Sequence, residues 1–307
     1  MSILSTRSKS IQETSLDEVF VIYGDAGSGK TVLASTFPKT PDAPMLYLDI
    51  LEGGTGSIAQ EHAENITVVD IMKFEELDEV LTDVMNGYTV DNGKQIPVKF
   101  STIVFDSATQ MEYLLKEYLK RSSGKSSMNL KLWGEAKDNQ DTIWNLAKGL
   151  HKKTGAKIVI ICHQKEQKDE NDPSFNKLIP SLMTSASSSL CAKASFVWYT
   201  KVEKETQVNA DGTTSPKTTY YTYIDAYPYL VTKCRKPANM TGVPTKAKNL
   251  SYAVFERNVL NALRQLRGST VSQQGATTAA KAKTRASAKG APETAEASTP
   301  VTDGGNV

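Results

Sequence analysis

The sequence predicts an α/β protein: a mostly parallel sheet flanked by helices, with an antiparallel β-hairpin at its C-terminal edge. Three observations predict it. Short apolar runs recur at Val19–Tyr23, Met45–Ile50, Ile66–Asp70, Thr102–Asp106 and Lys157–Ile161. Stretches of helical periodicity separate most of them, and a glycine-rich turn, Gly24-Asp25-Ala26-Gly27-Ser28-Gly29-Lys30-Thr31, closes the first. Runs without polar alternation suit strands buried on both faces, and strands alternating with helices build parallel sheets.

Taken in order, residues 1–17 read as a flexible polar arm. After the first strand and its turn, Thr31–Phe37 forms a short helix stopped by Pro38. Phe74, Leu77, Val80, Leu81 and Val84 share one helical stripe. Two helices follow the fourth strand, near Ala108–Arg121 and Trp133–Thr154, parted by the serine-rich stretch Ser122–Asn129. The fifth strand ends at Cys162-His163-Gln164, and Lys165–Ser189 reads as a long irregular connection of the kind that more often carries function than mere linkage. Alternation in Ser195–Val202 and Thr218–Ile224 around the turn signal Asn209–Gly212 gives the hairpin. A strand near Leu230–Lys233 and a helix near Tyr252–Leu266 close a domain spanning 18–267. Residues 268–307, rich in Ser, Thr, Ala and Gly, lack the apolar surface to offset their ordering entropy and are expected to be a disordered tail.

Lys plus Arg is 36 and Asp plus Glu 34, a formal charge of +2, so bulk charge announces no polyanion partner. A local basic groove would matter more than this sum. Cys162, Cys191 and Cys234 are too scattered for a disulfide framework or zinc site, and His62, His151 and His163 have no metal-ligand spacing. No apolar run reaches the roughly 20 residues that span a bilayer, and no secretory signal is present. The expected location is cytoplasmic, with no membrane partner.

The glycine-rich turn is the strongest signal. In G-x-x-x-x-G-K-[ST], Gly27 and Gly29 let the backbone curl so that N–H groups face the phosphates of a nucleotide. Lys30 reaches the β- and γ-phosphates and the Thr31 hydroxyl takes a place on Mg²⁺. The strand before and the helix after supply the context this motif needs, so ATP and Mg²⁺ are the expected ligands. Asp106, at the tip of an apolar strand, is the candidate second anchor of the Mg²⁺ shell through water, with Asp49 as its rival. Hydrolysis also needs a group to activate water. Glu52 is the candidate, taken to follow the strand beside the glycine-rich turn's own strand and backed by Gly53 and Gly54. Gln164 is placed ahead of its neighbour His163 as the group that contacts the γ-phosphate.

These parts, in this order, resemble the RecA-like P-loop ATPases. More narrowly the chain is similar to the compact phage AAA/RecA-core ATPases that include single-strand annealing and recombination proteins. The residues carrying the likeness are Gly24–Thr31, Leu48–Gly54, Ile103–Ser107, Trp133–Ala136 and Lys233-Cys234-Arg235, and it covers roughly 18–266. The resemblance implies ATP hydrolysis stimulated by DNA and by oligomerisation. It implies Glu52 as the water-activating residue and ATP at the boundaries of a homo-oligomer, with recombination or replication proteins as partners and a host cytoplasm as location. It also implies that Lys233 and Arg235, on one face of a late strand, reach a neighbouring subunit's γ-phosphate; a solvated basic edge is the alternative. Between its strand and Glu52 the chain carries one residue more than the family's strand–Asp–x–Glu arrangement.

By position, two segments would line a single-stranded DNA path: Arg121–Trp133, with Arg121, Lys125 and Lys131, and Lys165–Ala192, with Lys165, Lys168 and Lys177. Phe175 is placed to stack on a base, and Lys281, Lys283, Arg285 and Lys289 add positive charge to the tail. Ordinary surface is the competing reading of both segments. Three other functions share the motif: a ring-shaped helicase-like motor or loader, a small-molecule kinase and a nucleotide switch. The kinase reading suffers because Lys165–Ala192 holds no arginine for a phosphate-closing lid.

Overall fold

The computed structural model describes residues 16–266 except 59, 170, 171, 173 and 211. Most of the expected N-terminal arm, the whole expected tail and its four basic residues lie outside the described residues. In chain order the elements are β1 (Val19–Gly24), α1 (Lys30–Ser35), β2 (Met45–Ile50), α2 (Gln60–Ala63), β3 (Ile66–Ile71) and α3 (Phe74–Asn86). Then come β4 (Tyr88–Asp91), β5 (Lys94–Pro97), β6 (Thr102–Asp106), α4 (Ala108–Ser123), α5 (Leu130–Thr154), β7 (Lys157–Lys168) and β8 (Asn176–Pro180). The last are α6 (Thr184–Lys193), β9 (Phe196–Val208), β10 (Thr214–Tyr223), β11 (Lys233–Cys234), β12 (Lys246–Lys248) and α7 (Tyr252–Phe255), which passes into a π-turn at Glu256–Leu260.

The main sheet runs β12-β10-β9-β1-β7-β6-β2-β3, with β11 on β9 and β8 on β7. From β9 to β3 every neighbouring pair is parallel. On the other side of β9, β10 and β12 add antiparallel strands. This is the expected P-loop NTPase α/β fold with its hairpin edge, and Gly212 (φ +82°) makes the hairpin turn.

Alternating residues of the buried strands serve two cores. Val19, Val21 and Tyr23 of β1 pack with Leu77 and Leu81 of α3, Met111 of α4, and Trp144 and Leu150 of α5. Phe20 and Ile22 face the other layer, against Leu33 of α1, Phe37, Trp198 and Phe255. There the Phe20 ring stacks on Phe196 at 4.7 Å and meets Trp198 edge-on at 5.1 Å. These two layers hold β1 rigid on both faces, so the turn leaving its end is fixed.

Four features differ from the sequence expectations. The strand bearing Glu52 does not lie beside β1: β7 and β6 stand between β1 and β2. Sequence neighbours need not pair, and here β6, which precedes the α4–α5 pair, and β7, which follows it, both insert into the gap.

Lys165–Ser189 is not irregular. β7 continues to Lys168 and pairs with β8 (Lys165↔Ile179, Gln167↔Lys177), and α6 follows. The polar composition of both faces hid this strand, because only a half-buried strand shows alternation. Arg121–Trp133 is the tip of a helical hairpin, in which Gln140 Nε2 donates to buried Glu112 Oε2 (2.9 Å) and Lys116 lies over the Trp133 ring at 4.8 Å.

The late strand is shorter and later than expected, at β11, and the β4–β5 hairpin was missed although Asn92-Gly93, both at positive φ, is a strong turn signal.

Candidate active site

The carboxyl ends of β1, β7, β6 and β2 open into one cleft, where ligands of open parallel sheets bind. It encloses about 520 Å³ and takes walls from the P-loop, from Glu52–Gly54, Asp106 and His163, and from Tyr220. Gly24 ends β1 against Thr200 of β9; a Cβ there would come within 2.3 Å of the Thr200 carbonyl oxygen. Gly27 and Gly29 have φ of +72° and +86°, left-handed values that favour glycine and make the curl the motif requires. Buried Ser28 shares a hydrogen bond with Thr200 Oγ1 (2.7 Å), which anchors the loop to β9.

Lys30 begins α1 and is buried. Its ammonium donates to the carbonyls of Asp25 (2.7 Å) and Gly24 (3.2 Å). Burial pushes this ammonium below the usual lysine range, while Asp106, Glu52 and Asp25 pull it back up. Thr31 Oγ1 donates to Asp106 Oδ2 at 2.9 Å, and the Tyr47 hydroxyl donates to the same oxygen. Burial raises the Asp106 carboxyl against these two donors.

The donor set at this point is a hydroxyl and a carboxylate with open space beside them. Gly54 adjoins them: a Cβ on it would sit 3.3 Å from Thr31 Oγ1 and 3.6 Å from Asp106 Oδ2. Oxygen-only donors of this number fit Mg²⁺, which keeps most of its shell as water and phosphate. No group of three or more His, Cys, Asp or Glu suited to a metal exists among the described residues. Gly54→Val is expected to weaken Mg²⁺-dependent ATP binding by about tenfold or more, roughly 1.4 kcal/mol. Because Gly54 lies outside the left-handed region, its thermal midpoint should stay within a few degrees of wild type; calorimetric titration and a thermal melt check both halves.

Glu52 reaches this cleft by a turn that accommodates the extra residue. Leu51 adopts φ +58°, and Asp49 Oδ1 accepts the N–H groups of Glu52 (3.1 Å) and Gly53 (2.9 Å). Asp49 is thus occupied in closing the turn, while Asp106 holds Thr31. Glu52 Oε1 accepts hydrogen bonds from Ser107 Oγ (2.5 Å) and His163 Nε2 (2.7 Å). Burial raises its carboxyl, but the His163 and Ser107 hydrogen bonds and the Lys30 charge prevail and hold it below its ordinary value.

His163, not Gln164, lines the cleft from β7. Neighbouring strand residues face opposite ways, so only one of the two can point in. Gln164 instead pairs with Pro180 across β7–β8, and its Oε1 is buried without a hydrogen-bond partner among the described residues. Lys233 and Arg235 do share a face, but both bind the C-terminal end of α6: Lys233 Nζ donates to the carbonyls of Cys191 (2.8 Å), Ala192 (3.0 Å) and Ala194 (2.7 Å), and Arg235 to Ala192 (3.1 Å). Cations there complete the helix's unsatisfied carbonyls.

The basic residues outside the cleft divide. Arg121 pairs with Glu75 (2.7 Å), Lys131 with Glu135 (3.6 Å) and Lys177 with Asp169 (2.6 Å), and Lys165 donates to the Leu182 carbonyl. Lys125 and Lys168 are exposed. Phe175, also exposed, stacks on Tyr229 at 4.9 Å. Sequence reasoning missed Tyr47 and Tyr220. Tyr47 carried a weak signal, two residues before Asp49 on the same strand face; Tyr220 carried none.

No helix among the described residues is long and apolar enough to cross a membrane. Comparison with known proteins adds one match: the family model described as AAA domain covers residues 17–224. No curated protein matches the chain.

Proposed function

This chain belongs to the AAA-domain family of P-loop ATPases, and from that premise we propose that it binds ATP with Mg²⁺, hydrolyses it, and does so under the control of single-stranded DNA during recombination or annealing. The observation that carries the chemistry is the convergence of Lys30, the Thr31–Asp106 pair and Glu52 on one cleft, from three separate strand ends.

In the proposed reaction Lys30 leaves the Asp25 and Gly24 carbonyls for the phosphates and neutralises charge there. Thr31 and Asp106 would hold Mg²⁺, and the ion when bound would offset charge on the phosphates. Glu52, kept ionised, takes a proton from water as the water oxygen bonds to the γ-phosphorus. The bond to the β–γ bridging oxygen breaks, and ADP leaves with that electron pair. His163 and Ser107 orient the Glu52 carboxylate.

Support for a DNA effector comes from β7. The same strand that presents His163 to Glu52 runs on to Lys165 and Lys168 in the β7–β8 hairpin. The His163 backbone is held on both sides, its N–H donating to Thr109 Oγ1 (3.1 Å) and its carbonyl accepting from Ser181 N (2.8 Å). A strand pressed onto this hairpin, with a base against the Phe175–Tyr229 stack, would therefore act on the residue that holds Glu52. Assembly of several copies is part of the proposal; β3, the outer strand, exposes Val68, and Met72 just beyond its end is exposed as well. A role for Lys233 and Arg235 across a subunit boundary would require their release from α6.

The test is ATP turnover with and without single-stranded DNA over a range of protein concentrations. The expected result is stimulation of about tenfold or more by DNA, with specific activity rising with concentration. Turnover independent of both would leave an ATPase without the DNA role.

A further inference from the structure

Tyr47 of β2 is fully buried, in the core layer beneath α1, where it packs with Phe20, Phe37, Met45 and Val104. Packing there does not call for a hydroxyl, since Phe20 and Phe37 fill the same layer with bare rings. A phenol taken out of water needs a partner, and phenylalanine avoids that requirement. The Tyr47 hydroxyl finds its partner at the end of the neighbouring strand. β2 and β6 run parallel, with Tyr47 level with Val104 and Asp49 level with Asp106. From two residues below the strand tip, the ring reaches up and donates its hydroxyl hydrogen to Asp106 Oδ2. Thr31 Oγ1 donates to the same oxygen at 2.9 Å. A carboxylate oxygen offers two lone pairs, so the two hydroxyls fill Oδ2 and leave the acceptor capacity of Oδ1.

We propose that Tyr47 is a positioning residue for the Mg²⁺ site, its hydroxyl holding the Asp106 carboxylate in one orientation toward the ion's shell; this rests on the nucleotide reading above. Thr31 cannot serve this purpose alone, because its hydroxyl is also a group that would turn to the ion. Tyr47 serves the carboxylate only. It stands in the core behind Asp106, whereas the cleft is walled by Thr31, Gly54 and Asp106 itself. Removing the hydroxyl therefore leaves the phosphate-binding wall in place and frees the carboxylate to rotate.

The test is titration of the full chain, with ADP present, by Mn²⁺. This ion shares the oxygen preference of Mg²⁺, and its free form is counted by electron paramagnetic resonance. Wild type with ADP is expected to bind Mn²⁺ more tightly than ADP alone does. Tyr47→Phe keeps the ring and removes only the hydroxyl. It should bind Mn²⁺ in the ADP complex about 10- to 100-fold more weakly, the usual cost of losing a group that orients a metal's ligand. Its ADP affinity in EDTA should match wild type, a quantity that a general loosening of the core would lower. Unchanged Mn²⁺ affinity in Tyr47→Phe overturns the proposal, as does a comparable loss of ADP affinity in EDTA. Failure of wild type to bind ADP, with or without the ion, overturns the nucleotide reading itself.

Discussion

Lys30→Ala should abolish the thermal stabilisation that Mg²⁺–ATP confers on the protein while leaving the protein itself folded. The Lys30 ammonium is the cation set among the carboxylates of Asp106, Glu52 and Asp25, and burial already disfavours its charged form. Removing it leaves the buried Asp106 carboxyl and Glu52 without their counter-charge, so the ligand-free variant should melt below the wild-type temperature while remaining folded. Without it, a triphosphate entering the cleft faces Asp106 and Glu52 uncompensated. Wild type at a ligand concentration of about 100 Kd gains roughly 2.7 kcal/mol, which for a domain of this size is about 5–11 °C in the midpoint. The variant should show less than about 1 °C, and turnover should fall by about 10²–10³-fold or more. A full ATP-induced shift in Lys30→Ala would remove the P-loop as the binding site.

Glu52→Gln separates binding from chemistry. Glutamine keeps the shape and an oxygen to accept from Ser107 and His163, but it cannot take a proton from water. ATP affinity should stay within about threefold of wild type, and turnover should fall by about 10²–10⁴-fold, the usual contribution of a general base. The pH profile carries a second expectation. A base works ionised, and the Glu52 carboxyl is held below its ordinary 4.5. Its limb in kcat should therefore lie below 4.5, so that acidification from pH 7 to 5 costs no activity through Glu52. The same depression stabilises the fold above the ordinary value, and that contribution disappears as pH falls through the folded one. Undiminished turnover in Glu52→Gln would leave the His163–Glu52–Ser107 group with a structural role.

The P-loop was legible because its signal is local: two left-handed glycines, a lysine and a threonine at fixed spacing, between a strand and a helix. Asp106 was legible for the same reason, as the polar end of an apolar run. His163 was seen but ranked below Gln164, because a sequence does not display which of two adjacent residues faces the cleft. The extension of β7 through Lys168 was hidden, since neither face of that stretch is buried deeply enough to impose alternation. Lys233 and Arg235 were correctly placed on one face, yet what that face meets, the end of α6, lies about 40 residues away in the chain.

The sequence by itself determined the buried core strands and the helices between them, where the phosphate loop forms, and which carboxylates stand at strand tips. Those properties follow from side-chain period and turn chemistry over a few residues. Only the tertiary structure decided that β7 and β6 part β1 from β2, that His163 meets Glu52 across 111 positions of chain, and that Tyr220 closes on Gly29. Strand order and register depend on how distant apolar faces share two common cores, and no local pattern encodes that choice.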